Sequence, residues 1–261
     1  MLSAQWQHRD FILSMVKRDF RSRYLNSLLG ALWAILQPLS QILIYALIFA
    51  QVMHSRLEGV TNTYGYTIFL CAALLPWHLF TDTLGRCLGI FVEQGNLLKK
   101  LSFPRSTLPT YVLFSTAINF VLAYGIYWIF LIVSGNWPGV AILAVIPLLL
   151  IQQMLAMGLG IFLGTLNVFF RDVGHTMGIV LQFWFWLTPI VYPLKAVPER
   201  FQWVMVANPM LPVVQAYQGI FLRGEFPAWK TLLPPLCWAI LALVLAYLAY
   251  SRLGREMVDE L

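Results

Sequence analysis

Long apolar runs dominate this chain, and its polar positions gather in the short segments between them. Six such runs follow one another at 28–53, 64–91, 107–133, 140–167, 176–191 and 232–253, and Asp82 and Arg86 are the only charges well inside any of them. A bilayer core about 30 Å thick takes a helix of roughly 20 apolar residues. A helix also satisfies its own backbone where lipid offers no partner. The alternation over about ten residues that marks a membrane barrel strand is missing from the run Ile142 to Leu150. The pattern predicts an all-α membrane protein with six transmembrane helices.

The segment before the first run reads differently. Phe11, Ile12, Met15, Val16, Phe20 and Tyr24 recur at helical spacing, while Ser14, Lys17, Arg18 and Arg21 gather on another arc with Asp10. The spacing predicts an amphipathic helix within residues 1–27, with the membrane domain at 28–261. It serves either as an interfacial helix touching headgroups or a partner, or as a basic topogenic segment. Asp19 and Arg23 intrude on the apolar arc. Gly30, after Leu29, permits a sharp turn from this helix into the first span. Gln37, Pro38 and Gln41 lie within that span.

In the second run Asp82 and Arg86 are four residues apart, so one helix face carries both and they are expected to pair. Ionisable groups in a span face a bundle interior or a water-filled path. Direct contact with substrate competes with a self-neutralising pair in which Arg86 reaches toward the cytoplasm. His78 stands alone and reads as structural. The following loop mixes Leu97, Leu98 and Leu101 with Lys99 and Lys100 and closes on Phe103, Pro104 and Arg105. Leucines there imply burial, against a protein partner or the membrane surface.

The fifth run is short and ends Thr188-Pro189-Ile190, with Pro193 close behind. Two further apolar pieces, 201–207 and 213–222, are split by Asn208-Pro209 and Pro212. Neither is long enough to cross. A re-entrant helical hairpin between spans five and six is expected, of the kind tolerated when protein covers the backbone or it lines a cavity.

Composition fits this picture: 60% of the 261 residues are hydrophobic and 11% are charged, too apolar for a soluble domain. Lys and Arg concentrate at the N-terminus, at 99–105, at Arg171 and at Arg252 and Arg255, whereas the opposite segments carry fewer. The positive-inside rule then places both termini in the cytoplasm. The net charge of +6 reflects that bias, and no nucleic-acid role follows from it. The first 27 residues lack a continuous apolar centre, so no cleavable signal peptide is expected. Cys71, Cys87 and Cys237 have no metal-ligand spacing and read as small core residues. The sequence holds no phosphate-binding GxxxxGK[ST], no HExxH and no GxSxG. No catalytic residue, metal or cofactor is assigned to this chain, so energy for active transport has to come from elsewhere.

Several segments together resemble a known family. Arg18-Asp19-Phe20-Arg21 through Leu29-Gly30-Ala31-Leu32-Trp33, with Pro38-Leu39, resembles the start of ABC type 2 export permeases, and most of all the branch exporting O-antigen, capsule or teichoic acid. Asn96 to Lys100 with Phe103-Pro104-Arg105, Asn167 to Val173, Trp186 to Ile190, and Asn208-Pro209-Met210 with Gln215 and Tyr217 continue the likeness in order. The resemblance implies a homodimeric permease in the bacterial inner membrane. Two separate ATPase subunits, holding ATP and Mg, would dock on its cytoplasmic face near the N-terminal helix and Leu97 to Arg105. The hairpin from Pro193 to Leu222 would act as a periplasmic gate. The substrate would be a glycan on a polyprenyl diphosphate lipid, in a channel with gate and lining candidates Leu29, Gly30, Trp33, Asp82, Arg86, Phe183, Trp184, Pro189, Pro193, Asn208 and Pro209. Tyr45 and Trp186 are further aromatic candidates. A drug- or small-lipid-exporting permease and a non-transporting membrane scaffold are the competing readings.

Overall fold

A computed structural model of the chain describes residues 9–24, 30–48, 64–100, 107–254 and 256–260. These residues form helices, single 3-10 turns and connecting loops, with no strand among them. In chain order the helices are α1 (Arg9–Tyr24), α2 (Trp33–Tyr45), α3 (Gly65–Glu93), α4 (Gly95–Lys100), α5 (Thr107–Val133), α6 (Val145–Phe169), α7 (Asp172–Trp186), α8 (Glu199–Val206), α9 (Met210–Arg223), α10 (Leu233–Leu253) and α11 (Glu256–Glu260). Proline sets several starts: Pro109, Pro147, Pro212, Pro234 and Pro235 all lie in the first turn of their helix. There the missing N–H costs no helical hydrogen bond.

Four helical stretches are long and apolar enough to cross a membrane: Gly65–Glu93, Thr107–Val133, Gly139–Phe169 and Trp229–Leu253. They match the second, third, fourth and sixth predicted spans. The first predicted span contains only the shorter apolar helix Trp33–Ile48, and its remaining residues, 28–29 and 49–53, lie outside the described ones. The fifth run shifts: α7 begins at Asp172 rather than 176 and stops at Trp186 rather than 191. Pro189 explains the early stop, because a residue before proline is pushed out of the helical region.

Helix α6 occupies the centre, with α3 along one side and α10 along another. Between membrane helices, close van der Waals approach replaces the hydrophobic driving force available in water, and three glycines of α6 permit it. A Cβ at Gly158 would lie 2.7 Å from the backbone of Ala242 and Leu243 on α10. At Gly160 it would lie 2.6 Å from the Cys87 Cβ, and at Gly164 2.5 Å from the Cys87 carbonyl oxygen on α3. The central helix also contributes Gln152, which is buried and donates from Nε2 to the carbonyl of Pro76 at 2.5 Å.

The two arms of the expected hairpin turn out unequal. Helix α9 is core: Val213, Val214, Tyr217, Ile220 and Phe221 are buried, against α3 and α6 above all. Helix α8 is mostly uncovered, with Met205 its one buried residue. Helix α7 buries none of its residues against the rest of the chain, and leaves Ile179, Phe183 and Trp186 exposed. Cys71 and Cys87 are buried as expected, but Cys237 is exposed.

The glycine contacts give a direct test. Gly164→Val should lower the thermal stability of the detergent-purified protein by about 1–3 kcal/mol, the usual cost of forcing extra atoms into a close-packed contact. Gly125→Ala on α5, where a Cβ meets nothing within 4 Å, should leave stability unchanged or slightly raised.

Candidate functional site

One end of the bundle gathers α1, α4, the C-terminal turns of α3 and α6, the start of α5, and α11. Ile12, Met15 and Val16 of α1 bury there with Cys87, Ile90, Phe91, Leu108, Tyr111, Val112, Val168 and Met257. The inward stripe of α1 continues past Val16 to the half-covered Asp19, and, a further turn on, the exposed Arg23 lines the crevice described below. The two residues that looked like intrusions on an apolar arc therefore belong to the inner face. Asp19 lies 2.9 Å from Arg86 Nη2 and 3.3 Å from Arg23 Nε. Ser115 on α5 donates its hydroxyl to Asp19 and accepts a hydrogen bond from Arg86 Nη1 at 3.1 Å.

This geometry corrects the expected Asp82–Arg86 pair. Among the described residues Arg86 has Asp19, not Asp82, as its ion-pair partner, and the side chains of Arg86 and Asp19 are only 16% and 19% exposed. Asp82 lines the crevice beside this node together with Arg23. Arginine has a rigid fork of donors suited to carboxylates, and Asp19 on a separate helix meets it better than an acid on its own face. The node joins α1 to α3 and α5. Asp19 and Arg23 at helical spacing on α1, and Arg86 as a charge inside an apolar run, were its traces in the sequence; Ser115 left none.

Beside this node runs a crevice of about 700 Å3, lined by residues of α1, α2, α3 and α5 that include Arg23, Gln37, Pro38, Gln41, His78, Asp82, Asn119 and Phe120. Its shape follows from how the helices meet. Both α2 and α3 rest on α5 and barely touch each other, so a gap opens between them. The Gln41 amide nitrogen lies 3.1 Å from the Tyr45 hydroxyl, to which it donates, and 3.2 Å from His78 Nε2. Deeper in, Thr83 donates to the Thr116 hydroxyl at 3.0 Å.

The gate candidates form a second assembly at the α7–α9 junction. Asn208 Oδ1 accepts from Trp184 Nε1 at 2.7 Å and from the Met210 backbone at 2.9 Å. Its Nδ2 donates to Thr188 Oγ1 at 2.8 Å and to the Leu187 carbonyl at 3.3 Å. Gln218 donates to the carbonyl of Pro189 at 3.1 Å. Pro209 directly precedes α9, and Pro193 leads into a 3-10 turn at Leu194–Ala196. Trp184 packs edge-on to Trp77 and Phe80, so of the aromatic candidates it is fixed in the fold, whereas Phe183 and Trp186 are exposed. Trp33 is also exposed on α2, and Gly30 has φ of +50°, the left-handed turn that its position suggested. Asn167, near the C-terminal end of α6, accepts from the Gly174 backbone at 2.9 Å and donates to the Leu88 carbonyl at 3.4 Å.

Of the loop assigned to the ATPase, Leu97 on α4 packs against this chain's own cluster with Phe11 and Val92, and Lys99 is exposed. The side chains of Leu98 and Lys100, and residues Phe103, Pro104 and Arg105, lie outside the described ones, as does Leu29. Among the described residues no group of three His, Cys, Asp or Glu could hold a metal ion.

Comparison with known proteins identifies what this arrangement belongs to. Residues 11–222 match the family described as ABC-2 type transporter. The chain belongs to that family. Among its relatives, the transporter is 32% identical to the O-antigen export system permease protein RfbA of Myxococcus xanthus over 248 residues, which cover 94% of this chain and 92% of the relative. A second RfbA, from Klebsiella pneumoniae, is 31% identical over 216 residues, 82% of this chain and 81% of the relative. The polysialic acid transport protein KpsM of Escherichia coli is 25% identical over 209 residues, 79% of each chain.

The ion-pair node yields a prediction for this transporter. Asp19→Ala leaves Arg86 without its acid in a covered site and should cost about 3–5 kcal/mol, read as lost thermal stability in detergent. The exchange Asp19→Arg with Arg86→Asp should recover part of it, whereas Asp82→Arg with Arg86→Asp should recover none.

Proposed function

We propose that this chain is the membrane subunit of an ATP-driven exporter that carries a polysaccharide across the bacterial inner membrane. The observation that carries the reading is its similarity, over almost its whole length, to a permease named for O-antigen export. The energy comes from a separate ATPase subunit, in keeping with the lack of a phosphate-binding loop in the sequence. The chain crosses the membrane six times, with α2 and α7 as the short first and fifth crossings and both termini in the cytoplasm.

Two copies form the permease. Helix α7 supports this, because its own chain fully buries none of its residues and its exposed Ile179, Phe183 and Trp186 require cover by a second copy, substrate or lipid. Aromatic side chains suit stacking against sugar rings. Two ATPase subunits dock at the end holding α1 and α4. Helix α1 lies in the membrane surface with its outer face, while the Asp19 node links it rigidly to α3 and α5. Movement of the ATPase then reaches the spans through a charge-paired contact rather than a greasy one. The hairpin of α8 and α9, pinned by Asn208, acts as the gate on the opposite side. The exported glycan rides on a polyprenyl diphosphate.

Deleting the gene should abolish surface polysaccharide and leave the chains inside the cell, with the glycan released from its lipid by mild acid as a glycosyl diphosphate is. Purified permease alone should hydrolyse no ATP, and hydrolysis should appear on adding its partner subunit. Leu98→Asp should reduce recovery of the ATPase with the affinity-tagged permease by several-fold, since an unpaired buried charge costs several kcal/mol. Unchanged recovery would assign this loop to the membrane surface instead.

A further inference from the structure

The crevice between α2 and α3 holds polar groups that the fold does not satisfy. Among the described residues, the side-chain amides of Gln37 and Asn119 make no hydrogen bond, and Asp82 accepts none. They come from three different helices and converge on one opening. In hydrocarbon each such group would cost free energy with nothing in return, so the crevice has to be filled by water or by a ligand that hydrogen-bonds.

The lining states what kind of ligand. It carries one acid, Asp82, and one arginine, Arg23, so its formal charges balance. Arg23 is already engaged by Asp19 at 3.3 Å, and an entering phosphate would meet the Asp82 carboxylate. A neutral ligand is favoured. Amides both donate and accept, carboxylates accept, and a hydroxyl does both, so Gln37, Gln41, Asn119, His78 and Asp82 together match a surface of hydroxyl groups. The volume of about 700 Å3 lies within the usual range for small-molecule sites, about 300–1,000 Å3.

The polar groups also come in tiers. Gln37 and Gln41 are one turn apart on α2, and His78 and Asp82 one turn apart on α3, a rise of about 5.4 Å in each case. Two successive levels of hydrogen-bonding groups therefore run along α2 and α3. A ladder of several weak sites is what passage demands, since a single tight site would hold the chain.

We propose that the crevice between α2, α3 and α5 is a sugar-binding subsite within each subunit, in which Gln37, Gln41, His78, Asp82 and Asn119 hold hydroxyl groups of successive residues of the exported chain. This rests on the polysaccharide reading given above.

The test uses the full-length permease with its ATPase in isolated membrane vesicles. Single cysteines replace Gln37 or Asn119 in a background carrying Cys71→Ala, Cys87→Ala and Cys237→Ala. The probe is the small charged reagent 2-sulfonatoethyl methanethiosulfonate, applied to membrane vesicles open to it on both sides. Vesicles come from cells that make the surface polysaccharide and from cells lacking the glycosyltransferase that starts it. Labelling is expected at both positions without glycan, and about 5- to 10-fold slower labelling with it. Absence of labelling in both preparations would mean the crevice is sealed by lipid or a second copy, and would overturn the proposal. Equal labelling in both would show a wet crevice that holds no chain, and would overturn it too.

A second measurement guards against misfolding. Asn119→Leu with Gln37→Leu should lower surface polysaccharide about 10-fold, as expected for losing two hydrogen bonds. Membrane levels and ATP hydrolysis should persist, and Asn119→Gln should retain export. Full export by the double leucine variant would refute the subsite while leaving the exporter intact. Surface polysaccharide that survives deletion of the gene would instead refute the export reading itself.

Discussion

Hydrocarbon offers no hydrogen-bond partner, and the polar side chains of this bundle are placed accordingly. Gln152 reaches the Pro76 carbonyl, Thr83 meets Thr116, Tyr127 donates to the Ile68 carbonyl at 3.1 Å, and Asn208 uses both its oxygen and its nitrogen. Each contact joins separate segments of chain, so satisfying a polar group and fixing a helix pair are the same event. In lipid, where apolar surfaces gain little by meeting each other, such contacts and the close approach allowed by Gly158, Gly160 and Gly164 supply the specificity. The α2–α3 crevice matters against this background because Gln37, Asn119 and Asp82, from three helices, open onto one space.

The N-terminal helix shows how a small charge pattern alters a functional argument. Placed wholly on lipid, α1 would slide independently of the spans. Its inner stripe of Ile12, Met15, Val16, Asp19 and Arg23 instead combines apolar burial with an ion pair to Arg86 on α3 and a hydrogen bond with Ser115 on α5. A buried pair of this kind adds little net stability over well-packed apolar groups, but it penalises every misaligned arrangement. Register between α1 and the second span is therefore tightly specified. Asn208 acts in the same way, one amide fixing the relation of α7 to α9.

The uncovered surfaces carry their own information. Helix α7 contributes no buried residue, whereas its sequence neighbour α6 packs against both α3 and α10 at the centre of the bundle. An apolar helix so loosely held by its own chain is suited to a boundary between subunits or to the wall of a passage. Trp184 is the exception on that helix, anchored by Asn208 and by Trp77 and Phe80. Phe183 and Trp186 face outward beside it, so neighbouring residues of one aromatic run serve different ends.

The chain by itself determined that helices form and where most of them lie. Unbroken apolar runs and prolines in first turns act locally, and they were sufficient for the four long helices, for the helix around Ile12 to Phe20, and for the turn at Gly30. The ordered motifs from Arg18 to Tyr217 were sufficient for the family. Pairing between distant segments was not legible. Asp82 and Arg86 looked like partners because helical spacing is all a sequence shows, whereas the arginine's true acid is 67 positions away in number but 2.9 Å away in space. Likewise the two arms of the hairpin read alike as apolar pieces, and only tertiary contacts made α9 core and left α8 outside. The crevice is the clearest case: Gln37, Asp82 and Asn119 are unremarkable singly, and they become a site only because α2 and α3 both rest on α5 and leave a gap between them.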